Sequence, residues 1–216
     1  MSESRIVAIV PIGRIENAKS RLGGTLDAEE RRDLVDTMID RTIRASVGTA
    51  GIAETLVVSP DPEAIDQAAR LGARTMRQRS QGGLNAGLRE ARDDAIAGGA
   101  DAVLILPIDL PLISPDAIAE LIAPLGVDGE RPIVVLAPDR HGRGTNGLVV
   151  APPDAIDPAF GGDSRAAHRA CAEAVGARYV ELDGPFGLDI DTPDDLLLVE
   201  ALANQAAEVL ETADAG

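Results

Sequence analysis

The sequence predicts an α/β protein, a mostly parallel sheet with helices on both faces, and three observations predict it. Val103 to Ile113 (VLILPIDLPLI) is a near-continuous aliphatic run, as expected of a strand covered on both sides. Short strand-like runs alternate along the chain with longer segments of helical period, which makes βαβ units. With 216 residues and 45% hydrophobic content one core suffices. A single domain is expected over residues 1–210, followed by a frayed acidic tail at 211–216.

Composition excludes several function classes. A net charge of −16 opposes nucleic-acid binding, which needs clustered Lys and Arg. One Tyr, two Phe and no Trp leave almost nothing for bases to stack on. Cys171 is the single cysteine, so no disulfide framework is expected and a reducing cytoplasm fits. No apolar run approaches the roughly 18 residues of a membrane span, and the N-terminus leads straight into a strand rather than a signal peptide. A cytoplasmic protein with no membrane and no nucleic-acid partner is the expectation. Among twenty basic residues Lys19 is the only lysine. A compact, flexible ammonium at this one position suits a phosphate contact, whereas Arg elsewhere offers a planar fork.

Taken in order, Ile6 to Ile12 reads as the first strand. The loop after it, Gly13 to Gly24, carries Arg14, Lys19 and Arg21. It matches neither the P-loop nor the dinucleotide fingerprint, yet three cations there fit a triphosphate held by side chains; a solvated loop is the plainer reading. Asp27 with Glu30 forms a capping box for a helix to about Val47, with Leu34, Met38, Ile39 and Ile43 as its core stripe. Thr55–Ser59 is a second strand, Pro62–Leu71 a second helix and Ala73–Met76 a third strand. A second glycine-rich connection, Arg77 to Leu88, follows. In it Asn85 either reads a base edge or caps the helix that runs to about Ala97, and residue type favours the cap.

The aliphatic run then ends at Asp109, where a strand mouth would place a ligand or a cation; Asp and Pro are also ordinary turn formers. Ser114 as N-cap and Pro115 as first residue open the next helix, and Pro132–Ala137 is a further strand. Two anion-binding connections are expected beyond it. Pro138 to Leu148 has three glycines in six residues, with Thr145 and Asn146 as neutral donors. Phe160 to Ser164 places Ser164 at the start of a helix to about Val175, and a helix start is a ready anion site. His168 lies one turn later on that helix and could face the same anion; a hydrogen-bonded structural role is the more usual one. His141 and Cys171 have weaker claims.

In Leu188-Asp-Ile-Asp191, residues two apart share a face of an extended segment. Asp189 and Asp191 therefore point together with Ile190 buried, as a hard divalent cation such as Mg²⁺ requires. Asp191 also suits an N-cap for the final helix, expected to about Leu210; Asp189 has no such role.

These motifs together (VPIGRIENAKSRL, LPIDLPL, PDRHGRGTNGL, FGGDSRAAH and LDIDTPDDL) resemble the guanylyltransferases of coenzyme F(420) biosynthesis, which act on phosphoenolpyruvate or 2-phospho-L-lactate. The resemblance runs in order from about residue 6 to 200. It implies the nucleotide-diphospho-sugar transferase fold, a Rossmann-like mixed sheet with a β-hairpin excursion, and GTP as nucleotide. By motif, Asp109, Asp189 and Asp191 would hold Mg²⁺; Thr145, Gly161 and Ser164, with Asn146 beside them, would grip the acceptor; Lys19 and Arg21 would face the nucleotide phosphates. The family usually has Lys in its first motif where this chain has Gly13 and Arg14. The resemblance does not separate the two acceptors, and a homodimer stays an open expectation. Two other readings stand beside it: a nucleotidyltransferase of the same fold acting on molybdopterin or a sugar phosphate, and a non-catalytic nucleotide-binding regulator. The glycine-rich first loop of the former is missing, and a binder has little reason to keep three carboxylates together.

Overall fold

A computed structural model describes residues 4–126 and 131–202. Among these residues seven strands form one sheet in the order β3-β2-β1-β4-β6-β5-β7: β1 (Ile6–Pro11), β2 (Ile52–Ser59), β3 (Arg74–Arg77), β4 (Ala102–Ile105), β5 (Ile133–Pro138), β6 (Thr145–Ala151) and β7 (Arg178–Glu181). The helices are α1 (Ala28–Val47), α2 (Pro62–Arg70), α3 (Gly83–Ala97), α4 (Pro115–Ile122), α5 (Ser164–Ala174) and α6, described over 193–202. The expected end of the last helix at Leu210 and the acidic tail lie outside the described residues.

Alternation along the strands builds a core on each face. Ala8, Val10, Leu104 and Val135 face Met38 and Ile39 of α1, Ala64 and Ala68 of α2 and Ile118 of α4. Val7, Ile9, Val103, Ile105 and Val134 face Leu88 and Ala91 of α3 and Ala172 of α5. Helices therefore cover both faces, which is why the strands can be aliphatic throughout. The caps set the helix starts: Asp27 accepts from Glu29 N and Glu30 N while Glu30 returns a bond to Asp27 N, and Ser114 Oγ accepts from Ala117 N at 3.1 Å. No helix among the described residues is long and apolar enough to cross a membrane.

Four sequence expectations are corrected. The Pro138–Leu148 run is not one long loop: only the turn after β5 is, and Thr145 onward is strand β6, the sheet's one antiparallel member. Its glycines have reasons within the fold. Gly142 takes a positive φ of 68°, a Cβ on Gly144 would lie 2.8 Å from Asp139, and one on Gly147 would lie 2.7 Å from Leu121. Strand β7 carries no strong period of its own and was not expected. β4 stops at Ile105, so Asp109 lies in the connection beyond the strand rather than at its last residue. Asn85 is not a cap: Gly82 occupies that position at α3, whereas Ser164 is the first residue of α5 as expected.

Candidate active site

All strands but β6 run the same way, so β1, β4, β5 and β7 deliver their carboxyl ends to one edge, and β6 starts there. The connections at that edge carry the candidate side chains, and ligands of open α/β sheets generally bind there. Asp109 follows β4. Its segment is held by α1, where Thr42 Oγ1 donates to Ile108 O at 3.3 Å and Arg41 bonds to Pro111 O. Ile190 N donates to Asp109 O at 3.0 Å, tying the last connection to it. Ile190 is buried, and its neighbours Asp189 and Asp191 turn towards Asp109. One oxygen from each carboxylate lies within 4.8 Å of the others.

Three carboxylates so close repel one another. Burial, and then the charges of Asp109 and Asp191, push the Asp189 carboxyl above its ordinary range, against a side-chain hydrogen bond from Asn146. Lys19 answers part of that charge. Its backbone takes a left-handed φ of 52°, and its Nζ lies 2.8 Å from Asp109 Oδ2 and 2.8 Å from Asp191 Oδ1. Burial lowers the ammonium's pKa, but Asp109 first and Asp191 after it outweigh that, so Lys19 is held above its ordinary value. Arg21 stands 3.8 Å from Asp191. The donor set is all hard oxygen, and it fits a divalent cation of the Mg²⁺ class that completes its shell with phosphate and water.

The first loop is two short 3-10 turns, Ile15–Asn17 and Ser20–Leu22. Asp61, the cap of α2, also accepts from Ile15 N at 2.9 Å and pins the loop to β2's end. Gly13, Arg14, Lys19, Arg21, Ile108 and Asp191 line a cavity of about 450 Å³ here.

Further along the edge the buried side-chain contacts are between neutral groups. His168 of α5 is fully buried, and its Nε2 accepts from Ala159 N at 2.9 Å. That bond assigns the proton to Nδ1, which donates to Thr145 Oγ1 at 3.0 Å. Burial lowers the ring's pKa to about 4, so it is neutral. His168 is thus a strut joining β6, α5 and the connection before α5. Asn146 Nδ2 donates to Phe186 O at 2.8 Å. Asn85 spends its amide on Phe160: Oδ1 accepts from Phe160 N at 2.9 Å and Nδ2 donates to Phe160 O at 2.8 Å.

The structure therefore brings Arg14, Lys19, Arg21, Asp109, Asp189 and Asp191 together, and sets Thr145, Asn146, Gly161 and Ser164 at the same sheet edge. Asn85 belongs with Phe160 rather than with the cation loop. Sequence reasoning missed Asp195. Its buried carboxylate accepts from Asp191 N at 2.9 Å, Thr192 N at 2.7 Å and Thr192 Oγ1 at 2.9 Å, and it pairs with Arg140. Thr192-Pro-Asp-Asp195 is a capping-box pattern that could have revealed it. It also frees Asp191 from capping duty, so that carboxylate goes to Lys19.

Residues 6–210 match the family model described as guanylyl transferase CofC like. Relatives named phosphoenolpyruvate guanylyltransferase include one from Sphaerobacter thermophilus, 45% identical over 93% of this chain and 93% of its own. Another, from Rubrobacter xylanophilus, is 43% identical over 91% of this chain and 94% of its own. A crystal structure from Desulfovibrio desulfuricans G20, assigned to the nucleotide-diphospho-sugar transferases, superposes with a TM-score of 0.72 at 15% identity, covering 89% of this chain and 85% of that one.

Proposed function

This chain belongs to the CofC-like guanylyl transferase family, and we propose that it is a phosphoenolpyruvate guanylyltransferase. It would join the GMP moiety of GTP to the phosphate of phosphoenolpyruvate and release pyrophosphate, a step of coenzyme F(420) biosynthesis. The observation that carries the reading is the convergence of Asp109, Asp189 and Asp191 against Lys19 and Arg21. The names of the two relatives above favour phosphoenolpyruvate over 2-phospho-L-lactate.

The chemistry needs no general base. The acceptor phosphate oxygen is already an anion. It bonds to the α-phosphorus of GTP as the bond from that phosphorus to the bridging oxygen of pyrophosphate breaks. The obstacle is repulsion between two anions, so the chain's task is charge compensation and alignment. Bound at Asp109, Asp189 and Asp191, Mg²⁺ would supply positive charge to the phosphates. Lys19, Arg21 and Arg14 offset charge on the departing pyrophosphate. Gly161, Ser164 and Thr145 would define the acceptor's end through the Ser164 and Thr145 hydroxyls, because Ser164 N and Arg165 N of α5 already donate to Gly161 O and Arg143 O. Asn146 steadies Asp189.

The test is pyrophosphate release from GTP with Mg²⁺, run with phosphoenolpyruvate, with 2-phospho-L-lactate and with no acceptor. Release that depends on phosphoenolpyruvate is expected. Release with neither acid, from folded protein that binds GTP, would refute the reading.

A further inference from the structure

We propose that Asn85 is a positioning residue for the acceptor end of the site, reaching it from the nucleotide half of the sheet. This inference rests on the acceptor assignment above. Asn85 sits on the first turn of α3, which packs on β1 and β2, the strands that lead into the cation loop and α2. Its amide makes two bonds to the backbone of one residue, Phe160, 75 positions away. Pairing with both N–H and C=O of a single residue copies one rung of a β-ladder and fixes the peptide planes on either side of Phe160. From the opposite side His168 holds the preceding N–H, that of Ala159, and its ring meets the Phe160 ring edge-on at 4.9 Å between centroids. The chain is thus clamped at two successive residues before it enters Gly161 and Ser164. Loss of the Asn85 rung would let Phe160 rotate and move Gly161, while the carboxylates and Lys19, held by other contacts, stay in place.

N85A and N85S are the test, read by steady-state kinetics and by amide hydrogen exchange. For N85A the KM for phosphoenolpyruvate should rise about tenfold, with the KM for GTP and the saturated kcat within about twofold. N85S, whose hydroxyl is too short to reach Phe160, should behave like N85A, and it carries the same criteria if N85A does not fold. Exchange at 159–164 should quicken in either variant, whether or not the enzyme turns over, so failure of the clamp and failure of the guanylyltransferase reading are distinguishable. A rise in the KM for GTP instead would make Asn85 a nucleotide contact. Unchanged exchange at 159–164, or a lower Tm with unchanged kinetics, would also overturn the proposal.

A different observation carries a second inference. We infer that Lys19 and a divalent cation exchange on the same carboxylates. Lys19 Nζ takes one oxygen each of Asp109 and Asp191, two of the three candidate ligands, at 2.8 Å. A doubly charged ion held by these carboxylates would repel the ammonium bonded to two of them, and the exchange would move Lys19 towards the adjoining cavity lined by Arg14 and Arg21. Loading the metal would thereby deliver a cation to the phosphate side. Lys19 is the chain's only lysine, so protein labelled with ¹³Cε-lysine gives one side-chain signal. That signal should move as Mg²⁺ is added without nucleotide, and should stay still in D189N. K19Q should bind Mn²⁺ about tenfold more tightly than wild type. Equal affinities, or metal binding that leaves the lysine signal unmoved, would overturn the exchange.

Discussion

Along one edge of the sheet, the Asp109–Asp189–Asp191 cluster and the His168 strut handle charge in opposite ways. At the cluster, burial and like charge hold Asp189 above its ordinary range, and Lys19 reaches only two of the three carboxylates. At the strut, burial keeps His168 neutral, and both ring nitrogens have partners. The first region stores unfavourable electrostatics that a cation relieves; the second stores none and fixes geometry. The difference teaches how one edge can meet two anions. In the proposed reaction the phosphates would need compensation that arrives with the ligand, whereas the acceptor would need a place that is set beforehand.

Asp189→Asn should break this comparison most severely. Removing one carboxylate from the cluster should lower kcat/KM by about a thousandfold, ~4 kcal/mol, in a pyrophosphate-release assay. Because the Asp189 pKa is raised on folding, its ionisation opposes the fold at neutral pH. The metal-free variant should therefore be no less stable by thermal unfolding. A fall in activity matched by a fall in Tm would mean that Asp189 is structural.

His168 should show the reverse pattern, a pH effect on stability. Its folded pKa of about 4 lies below the unfolded value of 6.5, so the unfolded chain takes the proton first as pH falls. The stability is fully present above about pH 6.5, falls as pH drops towards about 4, and levels off below that. Denaturant unfolding should show a loss of about 2 kcal/mol between pH 7 and pH 5, absent from H168Q. A pH-independent stability would place the ring in solvent contact.

The smallest effect should come from Arg21, which is mostly exposed and 3.8 Å from Asp191. Arg21→Ala should raise the KM for GTP by only about threefold to tenfold, and the difference should shrink as salt rises. A large, salt-independent loss would make Arg21 a close, desolvated contact of the phosphates rather than a screened charge, and blur the contrast between the two regions.

Much of the cluster was legible because it follows from local rules. Asp189 and Asp191 straddle a buried Ile190, and period two alone turns them to one side. The capping box of α1 and the Ser114–Pro115 start of α4 are equally local. The Thr145 region was not legible: a glycine-rich run looks like a loop, and only neighbours such as Leu121 and Asp139 explain why its glycines lack room for a Cβ. Asn85 misled for a similar reason, since its type favours a cap and its actual partner is 75 residues away.

What the sequence determined by itself is the alternation of aliphatic strands and amphipathic helices, hence a covered parallel sheet, and the residue types that could meet phosphate and metal. Those follow from burial and from short-range geometry, which a chain carries in its own order. Which of them meet was decided by the tertiary structure. Lys19 reaches Asp109 across 90 positions and Asp191 across 172, because parallel strands deliver distant loops to one edge. β6, running against them, brings Thr145 and Asn146 there from the other direction. Only strand order and direction hold that information, and both arise from long-range pairing.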